Sequence, residues 1–341
     1  MDNIDRFDSS VKLRVISYGG GVQSTAMCVL AAQGKLDDIM GGPIDAALFA
    51  NTGDDTEYPP TLDFVRNIMI PWGAARGLKI LELHRFVNGV PTTIYKDLVD
   101  MNVRSIDIPV RMKNGSFGNR KCTSKFKIEV VHQWLRANGV DSTNFGSRNG
   151  KSKLDDDQVG LIRSLNEQGL SCRKIAETTG IPRSTVGDVV SGKSWRKPSY
   201  AVTAIGISVD EIHRLNRRRH NYNIELDVYP LIELGLDRDD CKQIIADAGL
   251  PVPPRSACFF CPFRGMKSWN DLYENDPDLF ERSVELEKTI NKKRFMLGKD
   301  EVFLTSKGKS LPEAIGEYRQ NVSNSIESFN DGKCDEGYCW T

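Results

Sequence analysis

The stretch "VISYGGGVQSTAMCVL", residues 15–30, decides the fold. Gly19, Gly20 and Gly21 interrupt two apolar segments, and a run of three glycines suits neither strand nor helix. The left flank, Leu13 to Ser17, reads as a short strand. The right flank, Ser24 to Gln33, reads as a helix with Met27, Leu30 and Ala31 on one face. The glycines therefore sit at a strand-to-helix turn. There they permit positive φ and close approach of a ligand or another backbone. The first helix amides are unpaired and the helix dipole favours an anion, so the turn fits a phosphate. Ser24 and Thr25 add hydroxyl donors. The same residues would also serve a tight loop that merely joins strand to helix.

Working outward, "IDAALFANTG" reads as a second strand running into a polar loop, Asn51 to Tyr58. "YPPTLDFVRNIMIPWGAARG" reads as a helix with a break near Pro71, and "LKILELHRF" as a third strand. Strands separated by helices predict an α/β fold with a doubly wound parallel sheet. Ligands on such sheets bind at the carboxyl ends of strands, where both the glycine loop and "NTGDDTEY" fall.

The chain has 341 residues, enough for one large or two ordinary domains. Its 46 basic and 46 acidic residues cancel, so no global field marks it for a polyanion or a membrane. No apolar run approaches the ~20 residues that span a bilayer. The first ten residues lack a signal peptide's basic-then-apolar pattern. The chain is expected to be soluble and cytoplasmic. Its eight cysteines are then ligands, catalytic thiols or packed side chains rather than a disulfide framework.

The pattern changes near residue 141, dividing the chain into a first α/β part (1–141), an insert (142–199), a resumed α/β part (200–310) and a tail (311–341). "DSTNFGSRNGKSK" reads as a linker. The segment after it predicts a helix at Ser171–Thr179, a turn at Gly180 and a helix at Pro182–Val190. Small Ala176 lets the two helices cross closely, and Pro182 suits a helix start. Ile175, Ile181, Val186 and Val189 form a small core that Leu161, Ile162 and Leu165 of a preceding helix complete. This is the spacing of a helix-turn-helix. Arg183, Ser184, Thr185 and Asp188 fall toward the start or exposed side of its second helix. From residue 144 to 200 there are ten Lys or Arg against six Asp or Glu, a local surplus of four. Lys151, Lys153, Lys174, Lys193, Arg196 and Lys197 are candidate phosphate contacts, with DNA or RNA as the partner. A three-helix module used for protein contact is the alternative.

Cys258 and Cys261 stand in "PRSACFFCPFRG", a C-x-x-C turn able to place two thiolates on one metal. Cys122 follows basic "NRK" and Cys241 lies in "LDRDDCKQII". Together the four could hold zinc or an iron–sulfur cluster, and a redox disulfide is the further alternative. Cys28 and Cys172 read as packed. Cys334 and Cys339, in "GKCDEGYCWT", are incidental or a mobile redox pair.

Taken together these features resemble the phosphoadenosine phosphosulfate (PAPS) reductase-like family of the PP-loop, or adenine nucleotide α-hydrolase-like, superfamily, in a phage or mobile-element branch. The resemblance covers roughly residues 11–140 and 200–310 and skips the insert. Family PP-loops usually read S-G-G-x-D-S; "GGGVQS" puts Gly19 at the serine position and Gln23 at the aspartate position. "ANTGDDTEYPPT" resembles the strand-two segment, with Thr52, Gly53 and Thr61. "GISVDEIHR" resembles G-x-R-x-x-E-S-x-x-R, with Glu211 matching, Arg214 one position before the last arginine and Ser208 at the first arginine position.

The resemblance implies ATP or a PAPS-type nucleotide, with Mg2+, held by Ser17, Gly19, Gly20, Gly21, Gln23, Ser24, Thr25, Thr52 and Gly53. It implies a [4Fe–4S] cluster on Cys122, Cys258 and Cys261, with Thr123 replacing the second member of a Cys-Cys pair and Cys241 as the candidate fourth ligand. Asp54, Glu211 and Arg214, with the thiols of Cys334 and Cys339, are the catalytic candidates. The insert points to sulfur transfer onto nucleic acid, supplied by a donor such as a cysteine desulfurase or thioredoxin. Two rivals stand beside it: a sulfonucleotide reductase releasing sulfite, although "KCDEGYCW" lacks the E-C-G-(I/L)-H motif, and a nucleotide-sensing DNA-binding regulator.

Overall fold

The computed structural model describes residue 7 and residues 10–141, 152–195, 199–217 and 224–324. Among these, five strands form one parallel sheet: β1 (Val11–Tyr18), β2 (Ala46–Asn51), β3 (Ile80–His84), β4 (Tyr200–Ala204) and β5 (Glu225–Val228). Their order is β3-β2-β1-β4-β5. β1 lies between β2, with Val15 opposite Ala46, and β4, with Ile16 opposite Ala204. From β1 the chain winds first toward β3. It then returns to the other side of β1 and winds toward β5. The strand order thus reverses between β1 and β4, and a crevice opens at the carboxyl ends of those two strands.

β2 is buried at every position, as a strand covered on both faces must be. Helix α1 (Val22–Ala32) packs on one face, where Met27, Val29 and Leu30 join Ile16, Tyr18 and Phe49 in one core. The helical segment α2 (residues 59–74) joins the same core through Leu62, Phe64 and Val65. It does not break at Pro71. A π-helical stretch, Phe64–Met69, immediately precedes that proline. The missing N–H therefore falls where the i→i−4 ladder is already interrupted. On the opposite face lies α3 (residues 121–137), whose Val130, Val131 and Leu135 pack with Val15, Leu48 and Ala201.

Residues 154–195 form three helices, α4 (Asp156–Glu167), α5 (Cys172–Thr179) and α6 (Arg183–Val190), around their own core. Asp155 closes a capping box at α4, and Ser171 caps α5 through the Lys174 N–H. Gly180 ends α5 with φ +70, the left-handed conformation that a helix stop of this kind requires. Ile162, Ile175, Ile181, Val186 and Val189 are buried as expected, but Leu161 is 49% exposed and Val159 takes its place. The pattern of α4 turns inward at Val159 and Ile162, three residues apart, which leaves Leu161 outside.

Helix α7 (Arg238–Asp247) follows β5 and packs along α1. Helices α8 (Met266–Asn275), α9 (Pro277–Met296) and α10 (Leu311–Asn324) build a second core with Ile94, Leu98 and Phe126. The segment expected as a tail from residue 311 thus begins as a packed helix, with Leu311, Ala314 and Ile315 buried. Cys334 and Cys339 lie outside the described residues. No helix among the described residues is long and apolar enough to cross a membrane.

Candidate functional site

The glycine loop meets the second motif at the crevice. A solvent-open cleft of about 490 Å3 is lined by Ser17, Gly19, Gly21, Gln23 and Ser24 from the β1–α1 turn, Ile205 and Gly206 from the end of β4, and Glu211 and Arg214 beyond it, with Ser256 opposite. The Gln23 amide donates to the Ser208 hydroxyl at 3.4 Å, tying the two motifs together across 185 residues of chain. The Arg214 guanidinium donates to the Glu211 carboxylate, and both side chains are buried. A buried pair of this kind is costly to dehydrate and strongly destabilising to split.

The three glycines do different jobs. Gly20 has φ +74, and a Cβ there would stand 3.0 Å from Thr61 Cγ2 and 3.2 Å from Val65 Cγ2. Gly20 faces the core, so its role is conformation and packing rather than ligand approach. Gly21 is the N-cap of α1 with extended backbone, φ −98, and no side-chain cap. Its Cβ would point at Ser256 Oγ, 2.7 Å away across the cleft mouth. The Ser24 hydroxyl accepts from the Gly19 N–H and donates to the Gly21 carbonyl, both at 3.2 Å, pinning the turn. The Ser17 hydroxyl is buried beside the cleft and makes no hydrogen bond among the described residues. Gly206, a residue the sequence did not single out, brings the end of β4 against the first turn of α1. A Cβ there would meet Ser24 N at 3.2 Å.

A second solvent-open cleft of about 710 Å3 also reaches the α1 N-terminus and is lined by Arg238, Pro253, Pro254, Arg255, Ser268 and Asp271. It shares Gly21, Gln23 and Ser256 with the first. Two arginines and a helix N-terminus face it, so the joined clefts favour an anion.

Several expected site residues lie elsewhere. Thr25 is fully buried, its hydroxyl against Tyr18 OH at 3.4 Å, and burial raises the Tyr18 phenol well above its usual value. Thr52 donates to Glu57 Oε1 at 2.7 Å. Gly53, at φ +133, sits where a Cβ would collide with Thr93. Neither lines either of these two clefts. Asp54 is paired with Arg66, which donates to it at 2.7 and 2.9 Å and also holds Glu82. Those hydrogen bonds hold the Asp54 carboxyl below the usual carboxylate range. As placed, Asp54 staples the β2 loop to β3 and α2 rather than facing the crevice.

The cysteines divide. Between Cys258 and Cys261 stand Phe259 and Phe260, both fully buried and edge-to-face at 4.9 Å. The rings anchor the turn and leave both thiols partly exposed. Cys258 Sγ lies 3.8 Å from Thr52 Oγ1. Cys122 is close in the fold, because the Arg120 guanidinium stacks on Phe263 at 4.9 Å. Cys241 is in a different place. It is fully buried on α7 in the core shared with α1, and burial together with nearby Asp210 pushes its thiol up to about 12. Its i+4 neighbour Ile245 is buried in the same core. Cys241 therefore does not complete a set with the other three. No group of three or more His, Cys, Asp or Glu comes together as metal ligands among the described residues.

In the three-helix unit Lys174, Arg183 and Ser184 are exposed and Thr185 is partly so. Lys193 is exposed and lies 3.6 Å from Asp188, a surface pair worth at most about 1 kcal/mol. Arg196 lies outside the described residues. No protein-family model, curated protein or solved structure matches this chain.

Proposed function

We propose that the protein is an adenine-nucleotide-dependent enzyme that modifies nucleic acid, with sulfur transfer as the reaction class. The observation that carries this is the meeting of two motifs about 190 residues apart, the glycine turn and the Glu211–Arg214 segment, in one cleft at the sheet's switch point. Such crevices are where open parallel sheets bind ligands.

In this reading the nucleotide phosphates lie at the α1 N-terminus, against the free amides of the first turn. The Ser17 hydroxyl donates to a phosphate oxygen, which gives that buried group the partner it otherwise lacks. Arg214, held in place by Glu211, offsets phosphate charge. The acceptor lies toward the second cleft, where Arg238 and Arg255 face it. Attack of an acceptor oxygen on the α-phosphorus would expel pyrophosphate, and the helix dipole and the arginines stabilise the charge that develops. Cys258 and Cys261 are the thiols nearest in chain to Ser256 and are the candidates to carry sulfur. A metal or cluster on Cys122, Cys258 and Cys261 would require these side chains to move together, and Cys241 takes no part.

The three-helix unit is read as an inserted helix-turn-helix. Arg183, Ser184 and Thr185 lie at the start of its second helix, where such helices meet base edges. Its exposed lysines and the local surplus of positive charge support a nucleic-acid partner.

Calorimetry with ATP and with PAPS tests the nucleotide claim. A Cβ at position 21 meets only the Ser256 side chain; Gly21→Leu should lose nucleotide binding, with a melting curve beside it to show that the variant folds. A variant that binds both nucleotides as the wild type does would remove the glycine turn from the site. Binding of PAPS alone, with thioredoxin-dependent release of sulfite, would favour the reductase reading.

A further inference from the structure

Residues 108–128 carry six basic side chains and no acidic one, in a chain whose charges balance. Of these, Lys125 bridges Asp97 and Asp107 at 3.0 Å each, and Lys127 is buried. The other four, Arg111, Lys113, Arg120 and Lys121, lie on or just after a tight hairpin. In it Arg111 pairs with Phe117, the Met112 N–H donates to the Ser116 carbonyl, and Gly115 turns the chain at φ +80. Lys113 and Lys121 are exposed.

Phe117 is 49% exposed. Its ring lies 5.2 Å from that of Phe263, with the Arg111 guanidinium 3.5 Å over it and that of Arg120 over Phe263. The adjoining loop adds exposed Lys307, beside Gly308, whose Cβ position lies 3.6 Å from the Lys113 carbonyl. Asp300 and Glu301 are acidic neighbours, exposed and immediately before Val302, which pairs with Met112. A half-exposed ring backed by a second ring and set among cations is the arrangement that single-stranded nucleic acid requires. Bases stack on the rings and phosphates meet the cations.

The position fits the site already described. Arg120 precedes Cys122 by two residues and Phe263 follows Cys261 by two. Ser256, at the mouth of both clefts, is seven residues before Phe263, a stretch that reaches at most about 25 Å.

We propose that this hairpin holds a single strand of nucleic acid, with a base on Phe117 and phosphates on Arg111, Lys113 and Lys121, so that the strand passes the Cys258–Cys261 turn within reach of the nucleotide cleft. The proposal rests on the nucleic-acid-modifying function above and locates its acceptor strand. Paired bases are already stacked, so the strand is single or locally opened, as for other enzymes that act on a base.

Fluorescence anisotropy of the full chain with a short labelled mixed-sequence oligodeoxynucleotide, and with its RNA counterpart, tests it. Phe117→Ala should weaken binding at least about 5-fold and Phe117→Trp should restore it. Changing Lys113 and Lys121 together to Glu should weaken binding and flatten its salt dependence. Thermal unfolding of each variant should match the wild type, because all three side chains are largely outside the core. Wild-type affinity in Phe117→Ala would overturn the proposal. So would displacement of the oligonucleotide by polyglutamate as readily as by unlabelled strand, which would mark an acidic-protein surface. ATP calorimetry on the same samples separates the two claims. Strand binding that depends on Phe117 without any nucleotide binding leaves the platform standing and removes the proposed enzyme. Nucleotide binding with strand affinity indifferent to Phe117 does the reverse.

Discussion

At the scale of single residues, the glycine turn separates into positions with opposite consequences. Gly20→Ala should destabilise the fold by about 1–3 kcal/mol, because it combines positive φ with contact on Thr61 and Val65. Gly21→Leu should leave the melting temperature near the wild-type value and abolish nucleotide binding; a melting series beside calorimetry distinguishes the two. Cys241 gives a second contrast. With its thiol pushed up to about 12 by burial, little thiolate exists at pH 8, so alkylation of the native protein should spare Cys241 while Cys258 and Cys261 react. Iron and zinc content after anaerobic preparation should be the same in Cys241→Ala as in the wild type; a lower content would return Cys241 to the ligand set. In sequence Cys241 stands among aspartates and reads as a polar ligand position. Those aspartates are a helix cap, Asp237 with Asp240, and the cysteine one residue on faces inward with Ile245. Caps and buried faces share the same residues at a helix start, so the distinction was not visible before the helix was placed.

At the scale of elements, the sequence placed β1, β2 and β3 within a few residues of their observed bounds, because each is a short apolar run bounded by glycine or polar loops, while at β4 it showed only that an α/β pattern resumes. The loop Pro253–Ser256, which lines the second cleft and reaches the first through Ser256, carried no such signal. It has no periodicity and reaches the glycine turn only through the tertiary fold. The β2 loop shows how an element can read as a site and act as a staple. Arg66 holds Asp54 below its usual value in the folded state. The stability this contributes is present above the unfolded carboxylate value of about 3.9 and is lost as pH falls through the folded one. Arg66→Gln should therefore lower stability at pH 7 and flatten the acid limb of a melting-temperature series; an unchanged limb would show the pair to be energetically silent. In the three-helix unit Ile175→Ala should cost about 2–5 kcal/mol of that unit's stability. ATP affinity should be untouched, since the unit has its own core.

At the scale of the whole molecule, the proposed nucleotide cleft, the cysteine turn and the two proposed nucleic-acid surfaces lie on one chain of zero formal net charge. Balanced overall charge hides local surfaces, and both the insert and the hairpin at 111–118 are basic only when read by segment. Deleting residues 154–195 should weaken duplex DNA binding and reduce its salt slope while ATP binding persists. Arg183→Ala should cost about 1–3 kcal/mol on a preferred sequence if Arg183 reads a guanine. Lys193→Ala should weaken all sequences alike. The central claim is that the glycine turn and the Glu211–Arg214 segment form one adenine-nucleotide site. Photolabelling with an azido-adenine nucleotide, followed by peptide mapping, tests it most directly. The account predicts label that ATP competes away, carried on peptides containing Gly19–Ser24, Ile205–Arg214 or Pro253–Ser256. Label confined to the three-helix unit, or label that ATP does not displace, would contradict it.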